Sequence, residues 1–245
     1  MEGLTLAGKS ALVTGGAGGL GQRICRDLTD LGARVIVADI DEAGAEEVAS
    51  TLDGASAATM DLTDPGSVQD LIDGVGALDV FVNNAGWDRV EPFVKNDPSV
   101  WDRLIGINLR APIQLTHGLL PGMIERGFGR VLYVSSDAGR VGSSGEAVYS
   151  ACKAGLIGLS KTIARETART GVTCNTVCPG PMDTPMLREV AGESPKLVAA
   201  LERAIPVGRL GTPYDVAGMI AYLCSERAAY ITGQTVSVSG GLSMS

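Results

Sequence analysis

The stretch Thr14–Gly21, Thr-Gly-Gly-Ala-Gly-Gly-Leu-Gly, lies between a short apolar run and a helical pattern. The preceding run, Ser10–Thr14, has the composition of a buried strand, and a helix is predicted from about Gly19 to Leu31. Glycines at such a junction let the backbone approach a pyrophosphate closely and leave free helix N–H groups beside it. The spacing fits both GxGxxG and GxxxGxG, so the sequence predicts a dinucleotide-binding turn.

The same alternation of strands and helices continues along the chain. Further strands are predicted at Ala33–Asp39, Ser56–Met60, Asp79–Val82, Arg130–Ser135, Val172–Cys178 and Thr235–Val238. Helices are predicted at Asp41–Leu52, Asp64–Val75, Pro98–Arg126 (interrupted near Pro112 and Pro121) and Val148–Arg169. Alternating elements predict an α/β fold, with one doubly wound parallel sheet covered by helices on both faces.

No linker-like stretch divides the chain, so residues 1–245 are predicted to form a single domain. The stretch Pro181–Gly211 is the least regular part of it, with several prolines and glycines between the predicted elements. Such long excursions in compact domains are usually functional. We therefore predict a substrate lid at about residues 182–207.

The composition excludes several classes of protein. The chain has 245 residues, 45% of them hydrophobic, and a formal net charge of −8. An acidic chain without a basic run is a poor partner for nucleic acid or an anionic membrane surface. The single histidine, His117, excludes a histidine-rich metal site, and the five scattered cysteines are expected to stay reduced. Without a signal-like or membrane-spanning stretch, we expect a cytoplasmic protein that binds no metal.

Two aspartates follow predicted strands near the glycine-rich turn. Asp39 closes the second strand, where a carboxylate accepts hydrogen bonds from both ribose hydroxyls of an adenosine and repels a 2′-phosphate. That placement favours NAD over NADP, although capping of the next helix is an alternative for Asp39 that Asp41 would serve equally well. Asp61 follows the third strand, where it either meets the adenine edge or forms a simple turn.

Tyr149 and Lys153 are four residues apart in a predicted helix, so they share a face. A phenol has an ordinary pKa near 10, and lowering it by about three units requires about 4 kcal/mol. One ammonium at about 4.5 Å, at an effective dielectric constant of about 20, supplies a comparable amount. The pair therefore predicts a tyrosine that exchanges a proton with an alcohol oxygen. Ser136, at the end of a predicted strand, is placed to hydrogen-bond the same oxygen.

With these motifs, the sequence resembles the short-chain dehydrogenase/reductase family over essentially its whole length. The matching elements are Thr14–Gly21, Asp39, Asp61, Asn83–Gly86, Asn108, Ser136, Tyr149–Lys153, Pro179, Gly180 and Thr184. The resemblance implies a seven-stranded Rossmann-like domain, a homotetramer, and a catalytic tetrad of Asn108, Ser136, Tyr149 and Lys153. In that tetrad Asn108 holds a water of a proton relay, Lys153 also binds the nicotinamide ribose, and Thr184 touches the carboxamide.

The same resemblance implies a set of residues that bind NAD. They are Gly15, Gly19, Leu20, Gly21, Asp39, Asp61, Leu62, Asn83, Ala85, Gly86, Tyr149, Lys153, Pro179, Gly180 and Thr184. Here Gly15, Gly19 and Gly21 are the phosphate-loop glycines. The expected substrate is a secondary alcohol or ketone.

A narrower likeness concerns the substrate. The stretches Asn83–Asp88, Ser135–Val148 and Val177–Thr184 look like those of 2-hydroxycyclohexanecarboxyl-CoA dehydrogenases, which implies oxidation of a β-hydroxyacyl-CoA. Substrate contacts are then expected at Trp87, Asp137 and Arg140, although Trp87 would equally pack against a helix and Arg140 would equally be a solvated surface charge. An oxoacyl-[acyl-carrier-protein] reductase-like enzyme is an alternative, which typically uses NADP. A non-catalytic NAD-binding redox sensor is another, and such a protein would lack the tyrosine or the lysine.

Overall fold

The computed structural model describes residues 3–184, Leu187 and residues 195–244. The strands are β1 (Ser10–Thr14), β2 (Arg34–Asp39), β3 (Ser56–Thr59), β4 (Val80–Asn83), β5 (Gly129–Val134), β6 (Val172–Pro179) and β7 (Thr235–Val238). The helices are α1 (Gly19–Asp30), α2 (Glu42–Ser50), α3 (Pro65–Gly74), α4 (Trp101–Ile105), α5 (Ala111–Arg126), α6 (Ala138–Val141), α7 (Ala147–Thr167), α8 (Pro195–Ala204) and α9 (Pro213–Cys224). The bounds of the predicted strands lie within one or two residues of the observed ones.

The strands form one seven-stranded sheet in the order β3-β2-β1-β4-β5-β6-β7, and every neighbouring pair is parallel. This confirms the prediction of a doubly wound parallel sheet. The strand order reverses direction between β1 and β4, so the connections on the two sides of this point leave the sheet in opposite directions. A crevice opens at such a switch point, outside the carboxyl ends of the strands.

Alternate residues of the central strands β1, β4, β5 and β6 are buried on opposite faces of the sheet. Val13 belongs to an apolar cluster with Ile24 of α1 and Ile220 of α9, whereas Leu12 belongs to a second cluster with Leu115 of α5. Because side chains in a strand alternate between the two faces, continuous apolar runs indicate a sheet that is covered on both sides. None of the helices in the described part of the chain combines the length and apolarity that a membrane span requires.

The predicted helix Pro98–Arg126 differs in detail from the structure. It starts as a 3-10 turn, Pro98–Val100, continues as α4, and is interrupted by a π-helical turn, Gly106–Arg110, before α5. Pro121 lies inside α5 without interrupting it. Within the π turn, the side-chain amide of Asn108 donates a hydrogen bond to the Leu104 carbonyl oxygen at 3.0 Å.

Part of the predicted lid lies outside the described residues, namely residues 185, 186 and 188–194. At its start, Met182 pairs with Gly211 in an isolated β-bridge. The assignment of a lid to residues 182–207 and of residues 1–245 to one domain both stay predictions.

The close approach of α1 to the glycine-rich turn generates a stability prediction. A Cβ atom at Gly21 would lie 1.9 Å from the Gly15 carbonyl oxygen, whereas a Cβ atom at Gly158, within α7, would meet nothing within 4 Å. We expect Gly21→Ala to lower the free energy of unfolding by about 2–4 kcal/mol through overpacking. The matched control, Gly158→Ala, is expected to raise it by about 0.5–1 kcal/mol, because alanine loses less backbone entropy. Urea unfolding of both variants measures the difference, and equal effects would contradict this explanation.

Candidate active site

Two strand ends at the switch point are joined by four hydrogen bonds. The Thr14 hydroxyl accepts hydrogen bonds from the backbone N–H groups of Asn84 and Ala85, at 3.1 and 3.2 Å. The Asn84 side-chain amide donates to the carbonyl oxygens of Thr14 and Gly15, at 3.1 and 3.0 Å. We call these four bonds the Thr14–Asn84 clamp. It holds the glycine-rich turn after β1 against the segment after β4.

The glycine-rich turn packs so tightly that side chains are excluded from it. Gly15 has a φ of +66°, and a Cβ atom there would lie 2.8 Å from the Cα atom of Ala85. The following helix α1 begins after Gly18 without a side-chain cap, and its first intrahelical hydrogen bond joins the Gln22 N–H to the Gly18 carbonyl oxygen. The earlier N–H groups of α1 therefore have no intrahelical acceptor and suit an anionic group.

Asp39 lies at the end of β2, beside the glycine-rich turn. Its carboxylate accepts hydrogen bonds from the backbone N–H groups of Ala17, at 3.0 Å, and of Asp41, at 3.1 Å. The N-cap of α2 is Asp41, whose carboxylate accepts a hydrogen bond from the Gly44 N–H at 3.1 Å. The alternative that Asp39 caps this helix is therefore wrong, and its carboxylate is held at the turn that carries the free N–H groups.

Asp61 forms a turn and also borders the same region. Its carboxylate accepts hydrogen bonds from the N–H and hydroxyl of Thr63, at 2.8 and 2.7 Å, and these bonds lower the pKa of Asp61. Asp61 therefore forms the turn that was one of its two predicted roles. The residue nevertheless lines the large cleft described next.

A cleft of about 1510 Å³ runs along the carboxyl ends of the strands. Most of the residues predicted from the sequence line it: Gly15, Gly19, Leu20, Gly21, Asp39, Asp61, Leu62, Ala85, Gly86, Trp87, Ser136, Asp137, Tyr149, Lys153, Pro179, Gly180 and Thr184. The glycine-rich turn and Asp39 line one part of the cleft, and Ser136, Tyr149 and Lys153 line another. One continuous cleft therefore contains both groups of predicted residues.

Lys153 is the most deeply buried charged group of this cleft. Its side chain is 2% exposed, and its Nζ donates a hydrogen bond to the Val134 carbonyl oxygen at 3.0 Å. The same Nζ lies 5.4 Å from the centroid of the Tyr149 ring. Burial lowers the pKa of Lys153 to about 8. The lysine and tyrosine therefore share a face of α7, as their spacing predicts.

The side chains around Tyr149 do not lower its pKa, contrary to what the sequence argument expected. Burial raises the pKa of Tyr149 above its ordinary value, and the carboxylates of Asp88 and Glu146 raise it further. A hydrogen bond with Ser136 opposes this shift. The sequence argument took into account the favourable ammonium of Lys153 but not these two carboxylates. Asp88 comes from another segment of the chain, whereas Glu146 lies only three residues before Tyr149.

Two predicted asparagines do not line the cleft. Asn108, in the π-helical turn, accepts a hydrogen bond from the Trp87 N–H at 3.2 Å and donates to the Trp87 carbonyl oxygen at 2.7 Å. Its side chain thereby holds the segment after Gly86 in place. Asn83 is fully buried, and its side-chain amide has no hydrogen-bond partner in the described part of the chain. The neighbouring Asn84, which was quoted in the motif but not singled out, is the one whose side chain organises the turn.

The predicted substrate residues occupy different environments. Arg140 is not among the residues that line the cleft, because its guanidinium hydrogen-bonds the Ser237 hydroxyl on β7. The same hydroxyl donates to the carboxylate of Asp137, which is 7% exposed at the cleft wall. The expectation that Arg140 contacts substrate is therefore not supported by its position. Trp87 lines the cleft, and its ring is stacked under the guanidinium of Arg103 at 4.2 Å.

Sequence reasoning missed two carboxylates in the same cleft. Asp88 directly follows Trp87, and Glu146 immediately precedes α7, three residues before Tyr149. The helical spacing of Glu146 and Tyr149 was a usable signal, because residues three apart share a helix face. Nothing in the spacing pointed to Asp88.

The comparisons with known proteins cover nearly the whole chain. The family model described as "Enoyl-(Acyl carrier protein) reductase" matches residues 15–243. A 3-oxoacyl-[acyl-carrier-protein] reductase of Vibrio cholerae is 38% identical over 98% of this chain and 100% of its own length. An acetoacetyl-CoA reductase of Rhizobium meliloti is 41% identical over 94% of this chain and 97% of its own.

A solved structure shows the same architecture with a bound cofactor. It is a putative NAD(P)-dependent gluconate 5-dehydrogenase from Beutenbergia cavernae, with NADP bound at low occupancy. The two chains are 30% identical, with a TM-score of 0.92, and 98% of each is covered. The same architecture thus occurs together with a nicotinamide dinucleotide in a similar protein.

The buried ammonium of Lys153 generates a second stability prediction. A lysine with a pKa of about 8 in the folded state, against its ordinary 10.5, destabilises the fold below pH 8, and this cost disappears as the pH rises towards 10.5. We expect Lys153→Met to raise the free energy of unfolding at pH 7 by about 1–3 kcal/mol, after allowing for the lost hydrogen bond.

The control for this prediction is Lys161→Met, which removes an exposed ammonium from the same helix. We expect it to change stability by less than about 0.5 kcal/mol. Chemical unfolding at several pH values compares the variants. A gain from Lys153→Met that did not shrink above pH 8 would contradict a charge-burial origin.

Proposed function

This chain belongs to the short-chain dehydrogenase/reductase family, and we propose that it is an NAD-linked enzyme that interconverts a β-hydroxyacyl thioester and its β-keto thioester. The observation that supports this proposal most strongly is the position of Tyr149 and Lys153 in the cleft that also contains the glycine-rich turn and Asp39. A proton-transferring group and a dinucleotide site therefore share one cavity. This combination disfavours a non-catalytic redox sensor, which has no need of the buried ammonium.

The names of the relatives support a thioester substrate. Both curated relatives are named as reductases of acyl groups with a keto function, one attached to a carrier protein and the other to coenzyme A. The likeness to 2-hydroxycyclohexanecarboxyl-CoA dehydrogenases points to the same class. The second candidate is a 3-oxoacyl-[acyl-carrier-protein] reductase-like enzyme, favoured by the match to the Vibrio cholerae protein over its full length. The two candidates differ in the carrier and share the reacting group.

The residues of the cleft fit a nicotinamide dinucleotide. Gly15, Gly19 and Gly21 line the cleft without a side chain, and the uncapped N-terminus of α1 suits the pyrophosphate. When bound, the nicotinamide accepts or donates the hydride of the reaction. We assign NAD because the Asp39 carboxylate repels a 2′-phosphate and the turn Thr14–Gly21 contains no arginine that would pair with one.

Tyr149 and Ser136 are assigned to contact the reacting oxygen of the substrate. In reduction the phenol of Tyr149 donates its proton to the carbonyl oxygen, and in oxidation the phenolate accepts the carbinol proton. The Ser136 hydroxyl donates a hydrogen bond to the same substrate oxygen. Because the pKa of Tyr149 is raised, the phenol is protonated at neutral pH, so oxidation is expected to accelerate as the pH increases.

Lys153 and Asn108 are assigned to a proton relay that replaces the proton donated by Tyr149. A Cβ atom at Gly86 would lie 3.1 Å from Asn108 Oδ1 and 3.3 Å from Lys153 Nζ, so the two side chains border the same small space. We propose that Asn108 holds a relay water beside the ammonium there. The ammonium also stabilises negative charge on the phenol oxygen of Tyr149. Assembly as a homotetramer stays a prediction.

The role of the phenol is tested by Tyr149→Phe. We expect kcat to fall by at least about a thousandfold, because no other group takes over the proton transfer, while the dissociation constant for NAD changes by less than about threefold. Tyr230→Phe, at a fully exposed tyrosine, is the control and should retain activity. Absorbance of the reduced nicotinamide measures turnover. Retained turnover in Tyr149→Phe would refute this mechanism.

The cofactor preference is tested by Asp39→Asn. Removal of the carboxylate charge is expected to raise the ratio of kcat/KM for NADP to that for NAD by about tenfold or more. Asp41→Asn changes the charge by the same amount two residues away and retains a good helix cap, so it should leave the ratio unchanged. A wild-type enzyme that strongly prefers NADP would show that the assigned role of Asp39 is wrong.

A further inference from the structure

Two carboxylates line the cleft next to the tyrosine that is assigned to proton transfer. Asp88 lies in the segment after β4, and Glu146 immediately precedes α7, three residues before Tyr149. Both also border a smaller hollow that contains Tyr149. The reaction as proposed uses neither of them. Both carboxylates nevertheless act on Tyr149 closely enough to raise its pKa.

These two carboxyl groups form a pair without a cationic partner. Burial and a hydrogen bond with the Glu146 carboxyl raise the pKa of Asp88 to about 7. A hydrogen bond between two carboxyl groups requires a shared proton, since neither carboxylate is a donor. Among the described residues, no lysine or arginine nitrogen lies within 4.0 Å of either one. Because the pKa of Asp88 is raised to about 7, its deprotonation near that pH adds a negative charge to the pair.

The other charged groups around the pair do not neutralise it. Arg89 forms an ion pair with Glu91 at 3.8 Å. Lys153, on α7, lowers the pKa of Asp88, but this effect is the weakest of those that act on it. Asp137, ahead of α6, adds a further carboxylate to the cleft wall. Arg103 also lines the cleft, where its guanidinium stacks on Trp87 and forms no ion pair with either carboxylate among the described residues. The wall formed by Asp88 and Glu146 therefore carries negative charge.

We propose that Asp88 and Glu146 determine specificity by excluding substrates whose carboxylate lies two bonds from the carbinol carbon. This inference rests on the proposed function. A β-hydroxyacyl thioester presents a neutral carbonyl two bonds from the carbinol carbon, whereas the free β-hydroxy acid presents an anion at that position. With the carbinol oxygen on Tyr149, that anion is brought towards the pair. Like charges within several ångströms in a partly desolvated cleft are repelled strongly enough to change relative rates by about tenfold or more.

The inference is tested with matched neutral and anionic substrates. The probes are racemic 3-hydroxybutanoyl-CoA, ethyl 3-hydroxybutanoate and 3-hydroxybutanoate, oxidised with NAD by the wild type, Asp88→Asn, Glu146→Gln and the double variant. We expect the ester-to-acid ratio of kcat/KM to exceed about tenfold in the wild type and to fall by about tenfold in the double variant. Asp53→Asn, at an exposed aspartate away from the cleft, controls for net charge and should leave the ratio unchanged.

Two further readouts separate electrostatic exclusion from a structural role. The wild-type ratio is expected to rise as the pH increases through about 7, because the pair then loses its shared proton, and the double variant should show no such rise. The pH profile for oxidation of the neutral ester should also shift to lower pH in the variants, since both carboxylates raise the pKa of Tyr149. The wild-type pH dependence tests the pair even if the double variant folds poorly.

Competitive inhibition gives a measurement that does not depend on turnover of the probe. Butanoate and butanamide have nearly the same shape and differ in charge, so the wild type should bind the amide more tightly, and the double variant should lose that preference. An ester-to-acid ratio near one in the wild type, or an unchanged ratio in the double variant, overturns this inference and leaves the proposed function standing. If the wild type oxidises neither ester nor thioester, but oxidises another alcohol through Tyr149, the proposed substrate class is wrong and the inference is wrong with it.

Discussion

The Thr14–Asn84 clamp is the interaction on which the site depends. Parallel strands end at one edge of a sheet, but the change of strand order between β1 and β4 would by itself leave their following segments free to separate. The four hydrogen bonds of the clamp hold the glycine-rich turn against the segment that contains Gly86 and Trp87. The part of the cleft lined by the glycine-rich turn and the part lined by Trp87 are thereby fixed relative to each other.

Charged groups around Tyr149 have opposing effects on its protonation. Burial and the carboxylates of Asp88 and Glu146 favour the phenol form of Tyr149. The ammonium of Lys153, 5.4 Å from the centre of the ring, attracts negative charge on the phenol oxygen by Coulomb's law. The balance leaves a tyrosine that retains its proton at neutral pH and a lysine whose charge is costly to bury. The cleft therefore contains a protonated phenol next to two carboxyl groups that carry negative charge. The same carboxylates that hold the proton on the phenol therefore also select the charge of the substrate.

The sequence was sufficient for most of the fold and for much of the site. Apolar runs buried on both faces, together with alternating helices, predicted the parallel sheet, and residues at strand ends such as Asp39 and Ser136 lie in the cleft because parallel strands end together. The hydrogen bond of Arg140 to Ser237 was not predictable, because Ser237 lies in the last strand. Asn83 was chosen over Asn84 because a motif does not reveal which amide reaches the neighbouring turn.

Local sequence determined two features of the site that depend on short-range geometry. Glycines at a strand–helix junction define a close backbone approach, and a spacing of four residues places Tyr149 and Lys153 on one face of α7. The tertiary structure completed the charge environment of that tyrosine, since only folding brings Asp88, from the segment after β4, beside Glu146 and Tyr149. A pKa depends on burial and on all nearby charges, and those are fixed only when the chain has folded.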